Sequence, residues 1–305
     1  MKIADIEWRG YWPAAPTPFA KDHSVDEEAL RNLMQLYLAQ GVHGILINGT
    51  TGEWFSQSLD ERRRVAEIAV DEVGNKVPVV VGCTAYTPTE VIDLADHARE
   101  MGAAGALATP PPYVHPSQEE IFLFYKEITE SVEMPWMAYN WPRGTAVDIS
   151  VETASLIADL TNVVAIKDST GDELKCMQTV EAVADRVRVF GRFIHPRGMA
   201  FMRGLAGDGN IDGGAIGAPF AVPFYEAIFT NDIETAHFFS RKYDALVQNL
   251  VHSDYSSRFA SPTSQLKAAM SILGQPGGIV RRPLQPIAEH EIPRLRAALT
   301  ASGLI

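Results

Sequence analysis

The stretch from residue 42 to residue 83, VHGILINGTTGEWFSQSLDERRRVAEIAVDEVGNKVPVVVGC, contains a complete strand–helix–strand unit. Its two ends, residues 42–48 and 77–83, are short apolar runs without polar alternation, which is typical of parallel strands covered on both faces. Between them lies a helical pattern that opens with a capping box formed by Ser58 and Glu61. The stretch therefore predicts one βα unit followed by the next strand.

The same alternation recurs along most of the chain. Further apolar runs that predict strands occur at residues 10–16, 105–109, 135–140, 163–167, 187–191 and 210–216. Helical patterns lie between these runs and begin near residues 25, 87, 117, 149, 171 and 195. Eight βα units in 305 residues predict a TIM (β/α)8 barrel better than a doubly wound sheet.

The sequence after the eighth run contains more helical patterns than a last barrel helix needs. They cover residues 222–230, 233–251, 264–273 and 292–301. No linker rich in Pro, Gly or Ser separates them from the rest of the chain. We therefore expect one domain, with the barrel core in residues 1–220 and the last barrel helix plus a C-terminal helical appendage in residues 221–305.

Composition and charge narrow the functional classes. A net charge of −12 and a pI near 5.1 leave no basic surface to offset phosphates, which argues against a nucleic-acid or anionic-membrane partner. The amino-terminal segment MKIADIEWRGYWPAAP lacks the apolar core of a signal peptide, and no apolar run is long enough to span a membrane. We expect a cytoplasmic protein.

The metal-binding and redox residue types show no useful spacing. Cys83 and Cys176 form no CxxC pair and have no clustered histidine, so neither a disulfide scaffold nor a zinc site is expected. His43, His97 and His115 are scattered along the chain. We expect a protein without a metal or an organic cofactor.

Lys167 ends the sixth apolar run, in the sequence VVAIKDSTG at residues 163–171. Catalytic groups of TIM barrels lie at the carboxyl ends of strands. An ammonium surrounded by apolar side chains has a lowered pKa, and the neutral amine is a nucleophile that attacks ketones. A surface lysine in a loop is the alternative, but the position at a strand end favours the nucleophile.

Two further motifs follow predicted strands. Tyr139, in MAYNWPRG, ends the fifth run and can relay protons, although an aromatic ring that only fills the barrel is the alternative. In GTTGE, Gly49 and Gly52 allow close backbone approach, while Thr50 and Thr51 offer hydroxyl donors near a helix start. This turn fits a carboxylate ligand, although such turns also serve as ordinary βα connections.

A group of cationic residues follows the seventh run. The sequence GRFIHPRG contains Arg192, His195 and Arg197. Such a cluster binds a distal carboxylate if it faces the barrel mouth, and it only decorates a helix start if it does not. The sequence favours neither interpretation.

Six motifs occur in a characteristic order: PAAPTPF, GTTGE, TPPPYVHPSQEE, YNWP, AIKDSTG and VRRPLQPI. In the order of these motifs, the whole chain resembles the dihydrodipicolinate synthase and N-acetylneuraminate lyase superfamily of pyruvate-type Schiff-base aldolases. The resemblance implies that Lys167 forms an imine with a 2-oxo acid, that Tyr139 relays protons, and that Thr50 and Thr51 hold the substrate carboxylate. It also implies a homo-oligomer, a dimer or tetramer, in which Tyr113 crosses a subunit interface.

The site residues expected from the motifs and the resemblance fall into two sets. The catalytic set consists of Lys167, Tyr139, Thr50 and Tyr113. The substrate-binding set consists of Thr50, Thr51, Gly49, Arg143 and Ile216.

Two departures from the family pattern concern the substrate. Synthases of the family resemble YN-x-P-x-R-T-G, whose arginine binds the second substrate's carboxylate, but this chain reads YNWPRGTA, with Gly144 in that place and Arg143 one residue earlier. Sialic acid lyases resemble a pattern with acidic residues after the seventh strand. In this chain Phe193 and Ile194 occupy those positions. We expect a divergent member, with a smaller or more acidic substrate than a polyhydroxylated sugar acid.

Three functions follow from these residues. The leading hypothesis is a lyase that acts on pyruvate or a related 2-oxo acid through a lysine Schiff base, by aldol cleavage or condensation, dehydration or deamination. One alternative is a true 4-hydroxy-tetrahydrodipicolinate synthase of lysine biosynthesis. Another is a non-catalytic barrel that binds an acidic metabolite, but such a protein has no need for a neutral amine beside a phenol.

Overall fold

Eight short parallel strands form the centre of the computed structural model, which describes residues 6–252 and 256–305. The hydrogen-bonded order is β1-β8-β7-β6-β5-β4-β3-β2, and a parallel bridge between Ala14 and Leu46 joins β1 to β2. The sheet therefore closes, and the predicted TIM barrel is confirmed. The strands are β1 (Gly10–Pro13), β2 (Ile45–Ile47), β3 (Val79–Gly82), β4 (Gly105–Ala108), β5 (Trp136–Asn140), β6 (Val163–Asp168), β7 (Arg188–Phe190) and β8 (Gly209–Asp212).

Helices connect the strands and cover the outside of the barrel. The predicted capping box is present, since the Ser58 backbone N–H donates to the Glu61 carboxylate at 2.9 Å and the Glu61 N–H donates to the Ser58 hydroxyl at 3.2 Å. The helices up to β8 are α1 (Glu27–Ala39), α2 (Leu59–Val73), α3 (Pro88–Glu100), α4 (Gln118–Ser131), the short α5 (Pro142–Thr145), α6 (Val151–Ala158), α7 (Glu173–Val183) and α8 (Pro196–Gly204).

The apolar side chains form two layers, which explains why the strand sequences do not alternate with polar residues. One layer fills the barrel and includes Trp12, Met137 and Phe190. The other lies between the strands and the helices. On β6, Ala165 belongs to the inner layer and Ile166 to the outer layer, so the alternation of a strand directs Lys167 toward the barrel interior.

The chain after β8 differs from the expectation. Gly213 and Gly214 have φ angles of 63° and 50°, a conformation that ends the strand and opens a helix. The predicted strand 210–216 is therefore too long, and Ile216 lies in α9 (Gly214–Phe229) instead of at a strand end. The boundary expected between residues 220 and 221 falls inside this helix.

Three more helices follow α9 and form the carboxyl-terminal extension: α10 (Ile233–Leu250), α11 (Pro262–Ile272) and α12 (Ile292–Ala301). Helix α10 packs along α9, and α11 contacts both α9 and α12. Within the described part of the chain, none of the helices combines the length and the apolar character that a membrane span requires.

Candidate active site

Lys167 and Tyr139 are direct neighbours on adjacent strands. The two residues pair in the register of β5 and β6, and the Lys167 Nζ lies 4.1 Å from the centroid of the Tyr139 ring. Lys167 is only 7% exposed. The two side chains that the sequence singled out independently are thus in contact at the same end of the barrel.

The Lys167 amine has the electrostatic environment of a nucleophile. Burial lowers the pKa of Lys167 to about 8, and the negative charge of Asp212 limits that decrease. Among the hydrogen bonds of the described residues, none is donated by this amine, so no carbonyl or carboxylate holds its protons. An appreciable fraction of Lys167 is therefore neutral near pH 7.

The Tyr139 hydroxyl connects the lysine strand with the GTTGE turn. Burial raises the pKa of Tyr139 well above its ordinary value, and the side chains of Ser169 and Thr50 beside the hydroxyl limit that rise. Ser169 follows Lys167 by two residues, and Thr50 comes from the loop after β2. A neutral phenol between two hydroxyl-bearing side chains is suited to pass protons.

The GTTGE turn places one threonine at Tyr139 and the next at the cavity described below. Thr51 lines that cavity. The close backbone approach occurs at Gly52, where a Cβ would lie 3.0 Å from the Asn48 nitrogen and 3.3 Å from the Ala15 oxygen. A Cβ at Gly49 would meet Leu46 at an ordinary 3.4 Å, so packing favours glycine more strongly at Gly52 than at Gly49.

A cavity of about 310 Å³ opens over Lys167 at the barrel mouth. We call it the mouth cavity. Its floor includes Lys167, Phe190 and Ile211, and helices α10 and α11 of the extension supply an aliphatic roof with Leu250 and Leu266. Because pyruvate fills only a small part of this volume, the cavity has room for a second reactant or a longer 2-oxo acid.

Trp141 occupies the wall of the mouth cavity beside Tyr139. The two rings are stacked, with centroids 6.2 Å apart and an angle of 14° between planes. A Cβ at residue 144 would overlap the indole ring, so Gly144 is what allows Trp141 to lie there. Arg143, on α5, is exposed and also lines the cavity, as the sequence suggested.

The three cationic residues after β7 have different environments in the structure. Arg192 lines the mouth cavity. His195 caps α8 instead, since its Nδ1 accepts from the Gly198 N–H at 3.2 Å and its Nε2 lies 2.9 Å from the Arg192 carbonyl. Arg197 forms an exposed ion pair with Glu173 at 2.9 Å. Of these three residues, Arg192 is therefore the one that lines the mouth cavity with Lys167.

Two other expected site residues lie in different settings. Ile216 lines the mouth cavity, but from the start of α9. Tyr113 is 89% exposed in the loop after β4, with a φ of 80° that is rare for a residue with a side chain. The structure thus brings Ile216 to Lys167 and leaves Tyr113 on the surface of the single chain.

The sequence interpretation missed Ser169, Asp212 and Tyr243. Ser169 could have been found, since it follows Lys167 by two residues in the same motif. Asp212 ends β8, and its carboxylate accepts a hydrogen bond from Tyr243 of α10. No local signal indicates Tyr243, because it reaches the mouth cavity from the extension.

Comparisons with known proteins identify the family of the chain. The sequence profile of the Dihydrodipicolinate synthetase family matches residues 7–302. The 4-hydroxy-tetrahydrodipicolinate synthase of Phenylobacterium zucineum is 35% identical over 305 aligned residues, covering 99% of this chain and 100% of the relative. An uncharacterized DapA-like lyase of Rhizobium meliloti is 30% identical, covering 96% of this chain and 95% of the relative.

A solved structure supports the same relationship. The chloride-inhibited dihydrodipicolinate synthase of Acinetobacter baumannii, in complex with pyruvate, has a TM-score of 0.86 and 30% identity to this chain. The superposition covers 97% of this chain and 99% of that one. Since the family profile and these relatives span nearly the whole sequence, the protein belongs to the Dihydrodipicolinate synthetase family of lyases.

Proposed function

We propose that this lyase forms a Schiff base between Lys167 and a 2-oxo acid such as pyruvate. The observation that carries the proposal is the buried Lys167 amine, without a hydrogen-bond partner among the described residues, against the ring of Tyr139. The Acinetobacter baumannii relative, solved in complex with pyruvate, supports this choice of ligand.

The geometry gives each residue a step. The neutral Lys167 amine attacks the ketone carbon, and loss of one water from the adduct leaves a protonated imine. The Tyr139 hydroxyl, linked to Thr50, supplies and removes the protons of these steps. Hydroxyl and N–H donors of the turn at Thr50 and Thr51 hold the carboxylate.

The imine then makes the next bond easier to break. Its positive nitrogen accepts electrons, so the bond between Cα and Cβ of the former ketone can break with release of an aldehyde. Alternatively, Cα loses a proton, after which a hydroxyl on Cβ can leave as water or Cα can attack an aldehyde. Aldol cleavage, condensation and dehydration share this intermediate, and deamination differs only in the leaving group. The mouth cavity above Lys167 is the space in which the second fragment lies.

Reductive trapping tests the proposal. Incubation of the full chain with pyruvate and borohydride should add one reduced pyruvate adduct per chain, since reduction converts the imine into a stable secondary amine. Peptide mapping should place the adduct at Lys167. A protein that stays unmodified under conditions that label a known Schiff-base aldolase would contradict the proposed function.

The rate of imine formation should depend on pH with a midpoint near 8. The pKa of Lys167 is about 8, and only the neutral amine reacts, so the rate falls about tenfold per pH unit below that value and levels off above it. Initial rates of cyanoborohydride trapping from pH 6 to 9 measure this profile. In Asp212→Asn the midpoint should move to lower pH, because the charge that raises the Lys167 pKa is removed. A profile still rising steeply at pH 9 would contradict the lowered pKa.

We further propose that the second reactant is not aspartate semialdehyde, although several relatives are synthases. That substrate carries a carboxylate, and the indole of Trp141 occupies the space over Gly144 where the resemblance places an arginine. A coupled assay with pyruvate, aspartate semialdehyde and the next reductase of lysine biosynthesis should give kcat/KM below about 10⁴ M⁻¹s⁻¹, the lower end for proficient enzymes.

A faster coupled reaction would support the alternative of a true 4-hydroxy-tetrahydrodipicolinate synthase. Arg143 would then be the candidate for the missing cation, since it lines the mouth cavity one residue away. Loss of that activity in Arg143→Ala, with pyruvate trapping retained, would identify it.

We also propose that the chain is a homo-oligomer and that Tyr113 lies at a subunit contact. The support is its 89% exposure beside Val114, which is 53% exposed, at a loop tip held in a left-handed conformation. Such a pair of apolar side chains is more often covered than left in water. The cytoplasmic location of the protein remains a prediction from the sequence.

A further inference from the structure

A buried ion pair outside the mouth cavity joins the carboxyl-terminal extension to the GTTGE turn. Lys267, on α11, donates from its Nζ to the Glu53 carboxylate at 2.5 Å. The side chains are 3% and 0% exposed. Glu53 is the last residue of GTTGE and lies 214 positions away in sequence. A pair so deeply buried has a large desolvation cost, which must be offset by its contacts.

Those contacts satisfy both charged groups. The Lys267 ammonium also donates to the backbone carbonyls of Thr17 at 2.7 Å and Ile279 at 2.6 Å, so all three of its protons have acceptors. The second Glu53 oxygen accepts from the Arg281 backbone N–H at 2.9 Å. Lys267 is therefore a fully bonded cation, although burial lowers its pKa to about 8, as it does that of Lys167.

Glu53, which the ion pair with Lys267 holds in place, also shapes the backbone of the GTTGE turn. Glu53 has a φ of 58° and a ψ of 38°, a left-handed conformation that is unfavourable for a residue with a side chain. Its N–H donates to the Thr50 carbonyl at 3.1 Å, which closes the turn carrying Thr50 and Thr51. Strained residues of this kind persist where surrounding contacts fix them.

Arg281 fastens the other side of the turn. Its guanidinium donates to both Glu61 oxygens, at 2.8 and 2.9 Å, and to the Ser56 carbonyl at 2.8 Å. The ring of Phe19 lies beneath both cations, 4.0 Å from the Arg281 guanidinium carbon and 4.6 Å from the Lys267 Nζ. The extension therefore holds the segment from Glu53 to Glu61 in place through side chains that do not line the mouth cavity.

We propose that Lys267 and Glu53 are positioning residues that set the Thr50–Thr51 turn for the substrate carboxylate. The inference rests on the proposed binding of that carboxylate by Thr50 and Thr51. It assigns the extension a role in substrate binding besides roofing the mouth cavity. Loss of the ion pair should weaken binding of the substrate carboxylate, while the reactivity of Lys167 toward a simple ketone is retained.

Lys267→Met in the full chain tests this role. The ketone concentration that gives half-maximal borohydride labelling is measured for pyruvate and for hydroxyacetone, which lacks the carboxylate. For pyruvate it should rise about tenfold or more relative to the parent, the effect of losing one hydrogen bond to a charged group. For hydroxyacetone it should change less than about twofold. Lys242→Met, the same substitution at an exposed site on α10, should match the parent with both ketones.

The outcomes separate this inference from the proposed function. Equal concentrations for Lys267→Met and the parent, or an equal rise for both ketones, would overturn the positioning role while leaving the Schiff base intact. If Lys267→Met does not fold, Glu53→Gln replaces it under the same criteria. A parent that is never labelled contradicts the proposed function instead, and calorimetric titration of pyruvate into parent and variant then decides the positioning role by the same tenfold criterion.

Discussion

Replacement of Lys167 by arginine should abolish reductive labelling with pyruvate and lower kcat/KM for any substrate by more than about 10³-fold. Arginine keeps a cation at the end of β6 but stays protonated, so it cannot attack a carbonyl. Loss of a covalent nucleophile removes the pathway instead of slowing one step. The measurement is intact-mass analysis after borohydride treatment, followed by peptide mapping of the parent.

Lys267 is an internal control for the labelling experiment. Both lysines are buried, and burial lowers the pKa of each to about 8. The three acceptors around Lys267 hold its protons, whereas Lys167 faces an open cavity and the Tyr139 ring. Label at Lys267, or label that persists in Lys167→Arg, would show that these contacts do not determine which amine reacts.

The features of the site that could be predicted from the sequence are those encoded by neighbouring residues. Lys167 and Tyr139 each end an apolar run, and the register of parallel strands in a barrel brings strand ends together without further information. The turn at Thr50 and Thr51 was visible for the same reason. Its direct contact with Tyr139 was not, because it depends on the curvature that closes the barrel.

The features that could not be predicted arise from contacts between distant segments. The apolar neighbours of Gly213 and Gly214 predict a strand through this pair, whereas the structure ends the strand there and places Ile216 in a helix. The resemblance implies that Gly144 stands in place of an arginine. Only the structure shows that Trp141 takes the space, because the indole folds back over a residue three positions later.

The ion pair between Glu53 and Lys267 illustrates the same limit. Glu53 belongs to the GTTGE motif, and Lys267 lies in a segment that the sequence predicts only as a helix. Neither residue signals its partner, since the pairing depends on how α11 docks on the barrel. Sequence patterns therefore identified the groups proposed to do chemistry, whereas the contacts that hold those groups in place required the folded chain.

Substitution of Tyr139 by phenylalanine should leave imine formation measurable but lower kcat by roughly 10²–10⁴-fold, the usual effect of losing a positioned proton-transfer group. The ring that stacks on Trp141 and lies beneath the Lys167 amine is retained, so the packing of the site is preserved. Only the hydroxyl beside Thr50 and Ser169 is removed. The kinetic constants and the rate of cyanoborohydride trapping measure the two effects separately.

Thr51→Val is the matched control, because it also removes a single hydroxyl group from the active site, but one outside the proposed proton relay. This variant should mainly raise KM for the 2-oxo acid, with kcat changed much less, since its proposed role is to bind the carboxylate. If Tyr139→Phe retained the parent kcat, the tyrosine would serve only to fill the barrel. If the two variants instead showed the same loss in kcat, the division of labour between relay and carboxylate turn would be wrong.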